Sequence, residues 1–148
     1  MTELRDVVGA ILVNDAGEVL LQQRDDRPDL RYPGHWTFFG GAVEEDEAPD
    51  DAILRELEEE LELTAADLTP RFWTRYICPA RTVEHVVQTT NHLYIARLNR
   101  PVSTLTLLEG QALRYFARDD ALALTLAFAQ SPLLARFFDE YPTLEKSL

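Results

Sequence analysis

Three glutamates in one short run, Glu56, Glu59 and Glu60, have the type and spacing to do chemistry. Glu56 and Glu60 are four residues apart and Glu56 and Glu59 three, so a helix brings their carboxylates together. Like charges at those spacings each destabilise a helix by a few tenths of a kcal/mol. Arg55, four residues before Glu59, relieves only part of the repulsion. Two explanations compete. One is a solvated acidic face. The other is a site for a hard divalent cation such as Mg²⁺, which takes oxygen ligands and would turn the repulsion into attraction. The wider segment sharpens the question. Gly41 to Leu63 holds eleven acids and one arginine, so it carries −10 of the chain's formal net charge of −12. The acidity is local and calls for a local cause.

The segment reads G-x5-E-x7-R-E-L-x-E-E-x-E-L. It resembles the signature of the Nudix hydrolase family, G-x5-E-x7-R-E-U-x-E-E-x-G-U with U aliphatic. Gly41, Glu47, Arg55, Glu56, Leu57, Glu59, Glu60 and Leu63 fall on pattern, and Glu62 stands where the family has glycine. The resemblance implies an α+β fold, an α/β/α sandwich with a mixed β-sheet between helices, spanning residues 1–148 as one domain. It implies a Mg²⁺-dependent pyrophosphohydrolase, with Mn²⁺ able to substitute. The substrate would be a nucleoside diphosphate linked to another group: a nucleoside triphosphate, oxidised or not, or a nucleotide sugar. The alternative is a catalytically silent Nudix-fold module that senses a nucleotide.

By the same resemblance, Glu59 and Glu60 are metal ligands, and Glu56 is a ligand or the base that activates water. The carbonyl of Gly40 is a further ligand. Arg55 holds the glutamates in position, and Glu47 supports the loop or binds metal through water. Glu109, in "LLEGQ", resembles the glutamate of a loop that reaches the metals in nucleotide-sanitising members. Pro79 resembles a proline of the ADP-ribose-cleaving members, on weak grounds.

Other residues are read from position alone. Arg24, Arg27 and Arg31 could contact phosphates or be ordinary surface charge. Tyr32, Trp36, Phe38 and Phe39 could stack on a base, Phe39 being the one carried forward, although core packing explains most aromatics. Trp73, Tyr76 and Tyr94 are assigned to the core. His35, His85 and His92 lack the spacing of a zinc site. Cys78 is the sole cysteine, which excludes an internal disulfide and fits a reducing, cytoplasmic setting. An acidic chain should not bind a nucleic-acid duplex by non-specific electrostatics. No apolar run approaches the ~18 residues of a membrane span. The expected partner is a small nucleotide, and a homodimer stays open.

Elements must position these groups. The β-branched run Asp6–Asn14, the turn "NDAG" and Glu18–Arg24 predict a hairpin. Asp25–His35 reads as a loop and Trp36–Gly41 as a strand. A helix is expected over Pro49–Leu61, with proline at its first position, Ala48 as an N-cap without a side-chain acceptor, and acids in the first turn. Its rotation places Ile53, Leu54, Leu57 and Leu61 inward and Arg55, Glu56, Glu59 and Glu60 outward. Strands are expected over Arg71–Ile77, Glu84–Leu98 and Leu113–Ala117. Helices are expected over Arg118–Gln130 and from Ser131, taken as an N-cap. Glu62 would either turn left-handed, as the family's glycine does, at roughly 1–2 kcal/mol of steric strain, or give the helix a differently shaped end. The loops Asp25–His35 and Cys78–Asn91 are the candidates for choosing the substrate.

Overall fold

The computed structural model describes residues 2–81 and 86–148. The chain alternates strands and helices in the order β1 (Thr2–Val13), β2 (Val19–Gln23), β3 (Trp36–Thr37), β4 (Phe39–Ala42), α1 (Pro49–Leu61), β5 (Arg71–Arg81), β6 (Val86–Arg97), β7 (Ala112–Phe116), α2 (Arg118–Leu122) and α3 (Ser131–Leu144). Short 3₁₀ turns lie at Val102–Thr104, Ala127–Ala129 and Glu145–Ser147.

All seven strands join one mixed sheet. Its main path is β3-β2-β1-β6-β5, with β4 paired to β1 and β7 to β2. β1 and β6 run parallel over their whole length, and the other pairs are antiparallel. Side chains alternate across a strand, and β1 uses this to feed two cores. Val8, Ala10 and Leu12 pack with Ala52, Ile53, Leu57 and Leu61 of α1. Ile11 and Val13 pack on the opposite face with Leu134 and Phe137 of α3. The result is a sandwich, α1 on one side of the sheet and α2 and α3 on the other.

The expected hairpin forms, closed by Asn14, whose Oδ1 accepts from the N–H groups of Ala16 and Glu18. α1 has the expected bounds, starts at Pro49 and has Ala48 as an N-cap without a side-chain bond. Glu62 ends it in the left-handed region, φ 56° and ψ 30°, its N–H donating to the carbonyls of Glu58 and Leu57.

Four expectations differ. The strand over Trp36–Gly41 is split at Phe38, whose N–H donates to the Gln130 side chain at 2.9 Å instead of to a neighbouring strand. β3 therefore pairs with β2 and β4 with β1. The helix over Arg118–Gln130 exists only as α2, because Leu126 is extended and Phe128 and Ala129 turn left-handed. Ser131 is inside α3 and not its cap; its Oγ accepts from the Leu126 N–H at 2.9 Å, bracing the connection. Finally, Cys78–Asn91 is mostly strand, not loop, with β5 and β6 paired up to Arg81 and Val86. Residues 82–85, including His85, lie outside the described residues.

Candidate active site

The face of α1 that meets the sheet is not wholly apolar. Glu60 is 2% exposed and Glu56 8%, while Leu54 is only half-buried. This corrects the outward placement of Glu56 and Glu60. Hydropathy assigns every glutamate to solvent, but β4 offers α1 two glycines where side chains would otherwise stand. A Cβ on Gly41 would lie 2.5 Å from Glu56 Oε1. One on Gly40, whose φ is +147°, would lie 1.9 Å from the Val8 carbonyl oxygen. Gly41 thus makes the space into which the Glu56 carboxylate folds, while Gly40 lets β4 lie close against β1.

Glu60 is the deepest group. Its carboxylate accepts from the Gly40 N–H at 3.2 Å and from Gln22 Nε2 at 3.4 Å. Burial, with the nearby charges of Glu109 and Glu56, pushes its pKa up to about 9. Burial raises that of Glu56 too, opposed by Arg55. In both groups loss of hydration is the larger cause, because burial disfavours the charged carboxylate.

Arg55 is the hub of the acidic group. It grips Glu47 with two nitrogens, reaches Glu56 Oε1 at 3.0 Å and Glu59 Oε2 at 3.2 Å, and donates to the Ala42 carbonyl at 3.0 Å. Its pKa is raised, first by Glu47. Glu47 is lowered in return by Arg55, and its Oε1 accepts from the Glu44 N–H. Glu59 is the exposed member, its side chain 56% accessible.

A cavity of about 430 Å³ opens beside this group. Gly40, Gly41 and Glu60 line it at one end, with Glu109. Arg5, Arg24, Arg27 and Arg31 line it as well, on a chain whose net charge is −12. Arg24 senses both Glu109 and Glu60, and its Nε donates to the Arg31 carbonyl at 2.8 Å. Arg27 is exposed and pairs with Asp29 at 3.3 Å. Glu109 is brought near by two backbone bonds on either side of it, Leu108 N–H to the Glu60 carbonyl and Gln111 N–H to the Gln23 carbonyl, both 2.9 Å.

Phe39 borders the cavity but leaves no exposed ring face for stacking. It is fully buried with Leu57 and Leu61 of α1, because alternation from Phe38 turns its ring to that face. Conversely, Tyr76, expected to be a core group, lines the cavity, as do Cys78, Asn91, Phe128 and Gln130. Phe128 and Gln130 were hidden in the residues read as helix. One aromatic and one amide in an apolar run give no periodic signal. His92 is structural: it is buried, its Nε2 3.0 Å from Asp6 Oδ1 and its Nδ1 accepting from Arg75 Nε.

The donor set fits a hard divalent cation, being made of oxygen alone. Glu56, Glu59, Glu60 and Glu109 would supply carboxylates, and Gly40 its carbonyl. Among the described residues no three His, Cys, Asp or Glu side chains converge in ligating geometry. Arg55 draws Glu56 and Glu59 to itself, and Glu60 is turned to Gly40.

The site is thus a mixed sheet between helices, with Glu56 folded against Gly41 and Glu60 bonded to the Gly40 N–H at a cavity's edge. The chain matches the NUDIX domain over residues 3–137 and belongs to that family. It is 36% identical over 132 residues to the CTP pyrophosphohydrolase of Escherichia coli K12, covering 89% of this chain and 90% of that one. It is 41% identical over 83 residues to an RNA pyrophosphohydrolase of Pseudomonas fluorescens, 53% of this chain and 48% of that one. The chain therefore matches about half the length of that relative. Among solved structures, the E. coli ORF135 protein superposes with a TM-score of 0.65 at 30% identity, covering 95% and 92% of the two chains. No helix among the described residues is long and apolar enough to cross a membrane.

Proposed function

We propose that the protein is a Mg²⁺-dependent pyrophosphohydrolase acting on a nucleoside diphosphate linked to a further group. The observation that carries this is one cavity holding the buried Glu60, the loop carboxylate of Glu109 and four arginines. A polyanion needs the arginines, and a cation needs the carboxylates. Arg24, Arg27 and Arg31, with Arg5, draw the phosphates in. Gly40, Glu56, Glu59, Glu60 and Glu109 hold the metal. A bound divalent cation supplies charge neutralisation and Lewis acidity at the phosphoryl oxygens. Glu56 is a ligand or the base that takes the proton of the attacking water. Arg55, fixed by Glu47, keeps Glu56 and Glu59 aligned.

The cavity volume suits one small ligand, a nucleoside triphosphate or a nucleotide sugar. The likeness to an enzyme named for CTP, over nine-tenths of both chains, makes CTP the first compound to try. The same reading takes residues 1–148 as one domain, since both cores share one sheet. It also puts the chain in a reducing, cytoplasmic compartment, on its single free cysteine.

The test is pyrophosphate and phosphate release from a panel of nucleoside triphosphates, oxidised nucleotides and nucleotide sugars, with and without Mg²⁺ or Mn²⁺. Metal-dependent turnover of at least one compound is expected. Tight binding without turnover at every metal concentration would make the protein a nucleotide-sensing module instead.

A further inference from the structure

Phe128 and Ala129 are consecutive non-glycine residues in the left-handed region, with φ of 55° and 56°. L-residues visit that region at an energetic cost, and such strain persists only where its surroundings hold it. The holding groups are visible. Next in the chain, the buried Gln130 uses its Oε1 to accept from Thr37 Oγ1 at 3.0 Å and from the Phe38 N–H at 2.9 Å. The Phe128 carbonyl accepts from the Tyr76 hydroxyl at 3.4 Å. The turn is pinned from two strands, and its effect is to set the Phe128 ring, half-buried, in the wall of the cavity.

That ring is covered by cations. The Arg24 guanidinium carbon lies 5.0 Å from its centroid and that of Arg31 5.4 Å, and Tyr32 meets it edge-on at 4.8 Å. Arg24 also feels the charges of Glu109 and Glu60, which line the same cavity. A phenyl face that accepts a planar guanidinium can also stack a planar heterocycle.

We propose that Phe128 is the platform on which the substrate's nucleobase stacks, and that stacking releases Arg24 and Arg31 from the ring toward the phosphates. This rests on the nucleotide reading above and adds the residue that selects a base-bearing ligand. The exchange couples the two ends of one ligand: the base takes the ring while the polyphosphate takes the guanidinium groups it frees. A polyphosphate without a base gains only the second half.

Binding tests this without relying on turnover. Calorimetry would measure the affinity of the full chain for an α,β-methylene nucleoside triphosphate and for ribose 5-triphosphate, which lacks a base. Phe128→Gly removes the ring and keeps the left-handed turn, which glycine adopts freely; Phe128→Trp keeps an aromatic face. Stacking is worth about 1–3 kcal/mol per base, so Phe128→Gly should weaken the nucleotide about 5- to 150-fold. It should leave ribose 5-triphosphate within about twofold, and Phe128→Trp should restore nucleotide binding. Equal losses for both ligands, or no loss for the nucleotide, would overturn the proposal, as would failure of Phe128→Trp to restore binding. Ring-dependent binding without any hydrolysis would refute the enzymatic reading and leave this one standing. No nucleotide binding by the unsubstituted chain would refute both.

Discussion

The Arg55 guanidinium holds both carboxylate oxygens of Glu47, Nε to Oε2 at 2.8 Å and Nη2 to Oε1 at 2.9 Å. The pair ties the loop before α1 to the helix and leaves Nη1 for Glu56 and Glu59. A forked guanidinium fits a carboxylate at two points, which an ammonium cannot do. Glu47→Gln keeps the size of the side chain and loses the ion pair. Turnover should fall about 10- to 100-fold, the usual effect of losing a group that orients metal ligands. Arg55→Lys should do the same. Steady-state kinetics check both, and unchanged rates would mean that the glutamates are held without Arg55.

Of Glu56, Glu59 and Glu60, Glu59 is the most exposed, so its removal should spare the fold. Glu59→Gln is expected to cut turnover by two orders of magnitude or more with little change in Tm. Added Mn²⁺ should raise the Tm of the original chain, because a ligand of the folded state stabilises it. The rise should be smaller in the variant. Near-normal activity would remove Glu59 from the metal site.

Glu62, at φ 56°, occupies the position at the end of α1 where glycine is cheapest. Glu62→Gly should stabilise the chain by about 1 kcal/mol, seen as a rise in Tm of about 2–4 °C for a domain of this size. A drop in Tm on thermal melting would show that Glu62 contributes contacts outweighing its backbone strain.

Burial keeps the Glu60 carboxyl protonated up to about pH 9 in the folded, metal-free chain, against an ordinary value of 4.5. The unfolded chain loses that proton near 4.5, so unfolding releases a proton between those limits. Stability then falls as pH rises through the window. Melting without metal from pH 5 to 9 should show this decline, and Glu60→Gln should flatten it. Metal affinity should rise with pH over the same range, since the ligand must lose its proton. A slope unaltered in Glu60→Gln would assign the decline to other groups.

How much was legible in the sequence varies by element. α1 was legible to the residue: Pro49 opens it, a 3.6-residue apolar period runs through it, and the left-handed Glu62 stands where a helix-ending glycine is expected. β1 and β2 were legible because apolar runs, β-branched in β1, flank a turn whose Asn14 and Gly17 adopt it readily. The acidic motif was legible because charge repulsion at helical spacing needs a cause. The residues from Ala123 to Gln130 were not. Their apolar, alanine-rich composition favours helix, and the bonds that break it come from Thr37 and Phe38, about ninety positions away.

The sequence by itself therefore determined the helix, its glutamates and the family signature, since each depends on residues within a few turns of one another. Tertiary structure alone decided that Glu56 and Glu60 face inward, that Phe39 belongs to the core, and that Phe128 belongs to the cavity. Those outcomes depend on which distant backbone approaches a side chain. Local hydropathy carries no record of a glycine pair lying against a helix, or of one amide anchoring a turn.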